Sequence, residues 1–207
     1  MVVLLNLKRF LFLMETNSTN TNLPREKVIW FTLMPQAALL VLSILWIYFF
    51  PQDNVLQYLK FNLHAILEGI LTGIGLAITG YGFYRLSKKI KNLSSVAELF
   101  EQVLAPVFKN LKILDFIYMS IISGTCEEIF FRGLLFPRLG MAISSIAFGF
   151  LHMPGSKYWI YTLWATLSGA LFALLFLLSG SLWLPITAHI TNNIIGMTLL
   201  RKLKINN

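Results

Sequence analysis

The chain has 207 residues, of which 57% are hydrophobic and 13% charged, and its mean hydropathy is +0.70. A soluble domain carries about 25% charged residues, so this composition excludes an ordinary soluble protein and describes a polytopic membrane protein. The net charge of +8 does not imply nucleic acid, because the basic residues sit between and beside apolar runs, where they suit cytoplasmic loops and lipid headgroups.

In chain order, residues 1–27 read as a cytoplasmic leader. Its opening, MVVLLNLKRFLFLM, is apolar, but Lys8 and Arg9 lie in its middle and no small-residue cleavage site follows, so it does not fit a signal peptide. Residues 1–13 are either a short interfacial segment or an upstream misassigned start. A hydrocarbon core about 30 Å thick needs roughly 20 apolar residues as helix, and six runs are expected to serve. Span 1 covers about 28–50 and is closed by Pro51. Span 2 covers about 63–84, where Gly69, Gly73, Gly75 and Gly80 suit close helix packing. These two make an N-terminal unit, residues 28–84.

Residues 85–112 are basic and amphipathic and read as a connector helix lying along the membrane surface. Span 3 covers about 113–136 and is ended by Pro137. Span 4 is short, about 139–153. Span 5 (158–179) and span 6 (182–200) are joined only by SGS and are expected to form a tight antiparallel pair. Residues 113–200 thus form a core, followed by a basic tail, 201–207. The expected fold is all-α: a membrane bundle of about six transmembrane helices plus one amphipathic interfacial helix. The Lys/Arg-rich leader, connector and tail place both termini on the cytoplasmic side. Trp30, Trp46, Tyr48, Tyr158 and Trp159 sit at span ends and read as interfacial anchors.

Ionisable residues inside apolar spans are expensive and by default mark a functional interior. Beyond Asp115 the only acidic residues are Glu127 and Glu128, in span 3. Glu128 and Arg132 are four apart, with Glu first, the favourable order for a same-face helix pair. Glu127 is rotated about 100° from its neighbour. Glu128–Arg132 therefore reads as a structural pair and Glu127 as the working carboxyl. His189 and Asn193 share one face of span 6 at the same spacing, as do Phe148 and His152 in span 4. A carboxyl base, a histidine and a His/Asn donor pair are what amide hydrolysis needs: water is deprotonated, the oxyanion held, the leaving amine protonated.

The segments EEIFFR (127–132), FGFLH (148–152) and HITNN (189–193) resemble, in order, the EExxxR, FxxxH and HxxxN motifs of the CAAX-processing and bacteriocin-immunity protease family. The resemblance covers about residues 113–200, and the first two spans carry no motif. It implies an all-helical intramembrane endopeptidase acting on a membrane-associated or lipidated peptide or protein, with a bacterial-type inner membrane as its setting. Carried over, Glu127 and His152 activate water, His189 and Asn193 support the oxyanion, and Glu128, Arg132 and Phe148 are structural support. A metal-free mechanism is favoured; if zinc takes part, Glu127, His152 and His189 are the ligands. The chain is short beside the eukaryotic pattern, which leaves prenylation of the substrate open.

Other readings carry less. The G-x-S-G of rhomboid-type proteases is absent. The single cysteine, Cys126, excludes an internal disulfide framework, and beside two carboxylates it lacks the positive neighbour a nucleophilic thiolate needs. His64 and Glu68 read as an interfacial polar pair. A non-catalytic scaffold or bacteriocin-immunity partner is the alternative function; a proton-coupled transporter would show paired broken helices or repeats, and neither is evident.

Overall fold

The computed structural model describes residues 24–203. The expectations for the leader before Pro24 and for the tail after Leu203 lie outside the described residues. Six α-helices carry the architecture: α1 (Arg25–Phe49), α2 (Leu63–Ser87), α3 (Ile113–Glu128), α4 (Phe136–Leu151), α5 (Trp159–Ser179) and α6 (Trp183–Arg201). No strand occurs among the described residues.

Four stretches are long and apolar enough to cross a bilayer: Arg25–Phe49, Leu63–Ser87, Ile113–Leu151 and Ser156–Ser179. The expected count was six. Two of those expected spans lie together in the 39-residue stretch Ile113–Leu151. Helix α6 falls outside the set because Thr187, His189, Thr191, Asn192 and Asn193 interrupt its apolar character.

The long stretch does not run straight. A π-helical segment, Ile129–Leu135, joins α3 to α4, and inside α4 Gly140 adopts φ 76 and ψ 176. A side chain is strained at that positive φ, and glycine is not. Sixteen residues of straight helix would separate Arg132 from Phe148 by about 24 Å. Instead the Arg132 guanidinium carbon lies 4.4 Å from the centroid of the Phe148 ring. The chain therefore folds back at Gly140. The expected break at Pro137 is corrected: the helix runs on through Pro137, and the reversal comes three residues later.

Two sets of contacts define the ends of the bundle. At one end Arg25 pairs with Asp115 at 2.6 Å, Lys88 with Glu101 at 2.7 Å, and Arg201 donates to the Leu111 carbonyl at 3.0 Å. At the other, Asp53 accepts from the Trp46 indole at 2.7 Å and the Arg138 guanidinium at 2.8 Å, and the Leu182 N–H donates to the Tyr58 carbonyl at 2.9 Å. Arg138 and Trp46 together hold the Asp53 carboxyl below the usual carboxylate range. Alternation between these ends gives successive helices opposite directions.

The connector is helical, as expected, through Lys91–Leu93, Ser94–Glu98, Leu99–Leu104 and Ala105–Phe108. It buries one face, Val96, Leu99 and Val103. Tyr158 packs into that face against Leu99 and Val103, so it is a core residue rather than an outward-facing anchor. Trp30, Tyr48 and Trp159 do face outward.

Helices α5 and α6 meet at Gly180, left-handed at φ 62, as the short linker requires. The main neighbours of α6, however, are α2 and α3. A Cβ on Gly73 would stand 2.5 Å from the Ala188 carbonyl oxygen, and one on Gly69 would stand 1.9 Å from Thr187 Oγ1. Close backbone approach of this kind is what small residues supply where lipid gives no hydrophobic drive. Gly75 faces open space. Gly73→Ala should therefore cost about 1–3 kcal/mol by overpacking, read as a lowered thermal unfolding midpoint in detergent, whereas Gly75→Ala should leave the midpoint unchanged or raise it.

Candidate active site

The neighbouring glutamates of α3 have different partners, as their helical rotation requires. Glu128 is fully buried, and its Oε1 accepts from Arg132 Nη1 at 3.0 Å and from His189 Nδ1 at 2.8 Å. Arg132, itself 1% exposed, donates from Nη2 to the Gly169 carbonyl of α5 at 2.8 Å. Its guanidinium lies over the Phe148 ring and 5.4 Å from the centroid of Phe172, contacts that favour a cation. A Cβ on Gly169 would come within 3.1 Å of Phe148 and 3.2 Å of Arg132, so the missing side chain lets the α5 backbone reach the arginine.

Glu127 has a separate environment. Its Oε1 accepts from Gln36 Nε2 of α1 at 2.8 Å. Its Oε2 faces His152 Nε2 at 3.5 Å and His189 Nε2 at 4.0 Å, and closes no hydrogen bond. His152 lies one residue beyond α4, placed there by the brevity of that helix.

The two imidazoles are pinned from behind. His152 Nδ1 lies 2.8 Å from the Phe148 carbonyl, which can only accept, so Nδ1 carries the proton. His189 Nδ1 faces the carboxylate of Glu128, already paired with Arg132, and again must donate. Each ring therefore presents Nε2 to Glu127. Phe172 stacks on His189 with centroids 5.0 Å apart at 13°, and Phe148 lies 4.3 Å from His152. These rings fix both planes.

Asn193, one turn beyond His189, donates to Ser123 Oγ at 3.3 Å. Both belong to the wall of a cavity of about 660 Å³ that also exposes Glu127, His152 and His189. The rest of that wall is largely apolar and aromatic, including Tyr81, Tyr84, Phe100, Leu104 and Trp164.

The structure thus brings together Glu127, Glu128, Arg132, Phe148, His152 and His189, with Asn193 on the same cavity wall. His64 and Glu68 pair at 3.3 Å on the exposed start of α2, apart from this cluster. Three contributors escaped the motif reading: Gln36, Gly169 and Ser123. Gln36 carried a signal, since an amide inside the apolar run LMPQAALL is costly unless partnered. Gly169 and Ser123 carried none. Among the described residues no three His, Cys, Asp or Glu side chains group so as to hold a metal ion, and one Glu127 oxygen is bonded to Gln36.

Helices of this length and apolarity, folded around a buried Glu/His cluster, fit an integral membrane protein. Residues 109–195 match the family model described as type II CAAX prenyl endopeptidase Rce1-like, so this segment is similar to that family. All three motifs fall within the matched residues. The chain is also similar to the uncharacterized protein YpbD of Bacillus subtilis (strain 168), with 29% identity over 83 residues. That alignment covers 40% of this chain and 44% of the relative, so less than half of the relative's length is spanned. No solved structure matches the chain.

The buried pair should dominate stability. Arg132→Met removes the fixed cation beside Glu128 and leaves its carboxyl with the His189 contact alone, and should cost about 3–5 kcal/mol, read as a large fall in thermal midpoint. Glu127→Gln should leave that midpoint close to wild type.

Proposed function

We propose that the chain is an intramembrane endopeptidase that hydrolyses a peptide bond of a membrane-associated or lipidated substrate. The observation that carries this reading is the convergence of Glu127 Oε2 with Nε2 of His152 and of His189 on the wall of a largely apolar cavity. The match to a protease family supports the reaction class.

In this reading the Glu127 carboxylate takes a proton from a water held between its Oε2 and His152 Nε2. The resulting hydroxide attacks the scissile carbonyl. The oxyanion accepts hydrogen bonds from the Asn193 amide and from His189 Nε2–H, the form in which both ring nitrogens carry protons and Nδ1 stays on Glu128. Glu127 then returns its proton to the leaving amine, and the C–N bond breaks. Glu128 and Arg132 act through His189, Phe148 and the α5 backbone rather than on the substrate. The mechanism routes no step through a metal. The apolar wall accommodates a lipid-modified or otherwise apolar peptide, and the basic end formed by Lys88, Lys112 and Arg201 is taken as cytoplasmic by the positive-inside rule.

The direct test compares membrane peptides by mass spectrometry from cells carrying wild type or Glu127→Ala. A peptide present only with wild type identifies substrate and activity together. Identical peptide sets, with a phenotype retained by Glu127→Gln, would instead establish the non-catalytic scaffold or immunity role. On a purified, fluorescence-quenched peptide with a prenylated cysteine near its C-terminus, Glu127→Ala and His152→Ala should each lower kcat/KM by at least about 100-fold. Asn193→Ala should lower kcat by about 10- to 1000-fold with little change in KM. A chelator such as 1,10-phenanthroline should leave the rate unchanged; inhibition reversed by added zinc would reinstate the metal reading.

A further inference from the structure

Helix α1 carries no motif, and most of its surface faces outward. Its buried residues are Val28, Pro35, Gln36 and Ser43, a single stripe recurring every seven or eight positions. Such a stripe needs only apolar packing. Its centre, however, is an amide: Gln36 is 5% exposed and reaches Glu127 Oε1 at 2.8 Å. A carboxylate can only accept, so the Nε2 side of the amide must face Glu127. The other half of the amide is left over: Gln36 Oε1 is buried and closes no hydrogen bond. A buried, unpaired carbonyl oxygen is a standing cost to the fold, so packing alone does not account for this residue. Pro35, just before it, gives no N–H to the helix ladder and fixes the chain where the amide emerges.

The bond to Gln36 has a consequence for chemistry. Two torsions separate the Glu127 carboxyl from its β-carbon, and no other hydrogen bond restrains it among the described contacts. Holding Oε1 toward α1 leaves Oε2 aimed at the two imidazoles contributed by α4 and α6. We infer that Gln36 is a positioning residue for the hydrolytic reaction, anchoring one oxygen of Glu127 so that the other is presented to His152 and His189. This rests on the endopeptidase reading above. It also gives the N-terminal helix, which lies outside the family match, a part in the site.

The test uses the full chain in detergent and the quenched prenylated peptide as probe, with wild type, Glu127→Ala, Gln36→Met, Gln36→Glu and Gln36→His. Gln36→Met keeps the volume without the donor and should lower kcat by about 20-fold or more, with KM within about twofold of wild type, since the lost interaction acts in the transition state. Its thermal midpoint should stay close to wild type, because the unpaired Gln36 acceptor is removed while Glu127 Oε1 loses its donor, two opposed effects. Gln36→Glu keeps the shape but sets an acceptor against an acceptor, and should lose at least as much kcat. Gln36→His offers an N–H at a similar reach and should recover to within about fivefold of wild type. Turnover by Gln36→Glu or Gln36→Met within about threefold of wild type, a loss confined to KM, or a loss that follows a falling midpoint would overturn the inference while leaving the endopeptidase reading intact. Equal rates for wild type and Glu127→Ala would sink that reading and this inference with it.

Discussion

The contact between Glu128 and Arg132, one turn apart and shut away from water, is the interaction around which the core is arranged. Taking two charges out of water costs several kcal/mol for each ion, and their attraction offsets this only when the remaining donors and acceptors are used. The surrounding architecture supplies several of those uses, though Glu128 Oε2 and Arg132 Nε close no hydrogen bond. Helix α6 brings His189 to the shared carboxylate oxygen, α5 brings the Gly169 carbonyl to the guanidinium, and α4 returns Phe148 to lie against its face. Three helices from separate parts of the sequence therefore meet at one ion pair.

The same arrangement divides labour between the two glutamates. Because neighbouring helical positions point about 100° apart, Glu128 turns toward Arg132 and His189 while Glu127 turns toward Gln36 and His152, and each keeps one oxygen without a hydrogen bond. The histidines inherit their orientation from partners that can only accept. Geometry at the site thus follows from groups packed behind the cluster, which is the usual way a precise constellation is held.

Sequence patterning revealed the helices, the short fourth one, and the members of the Glu/His cluster, because intramembrane polar residues are few and their i,i+4 spacings are informative. The separate partners of the doublet were legible for the same reason. Other features were not. The reversal was expected at Pro137, yet the helix runs on through it, and only the backbone angles reveal Gly140 as the turn. Tyr158 sits at a span boundary, where exposure to an interface and burial under the connector look alike in sequence. Gln36 stood out as polar but had no spacing relation to the motifs, since its link to Glu127 crosses 91 residues. The number of spans depends on whether a polar inner helix such as α6 counts as apolar, and composition answers differently from connectivity.

Gly140 has a consequence for how the chain can vary in length. Arg132 and Phe148 each lie eight residues from it, so the two arms of the hairpin are matched and the guanidinium meets the ring across them. One residue inserted in either arm would turn the following side chains by about 100° and shift them by about 1.5 Å along the axis. Phe148 and His152 would then leave the cluster together. The interval from Arg132 to His152 is therefore a ruler of fixed length, intolerant of insertions and deletions.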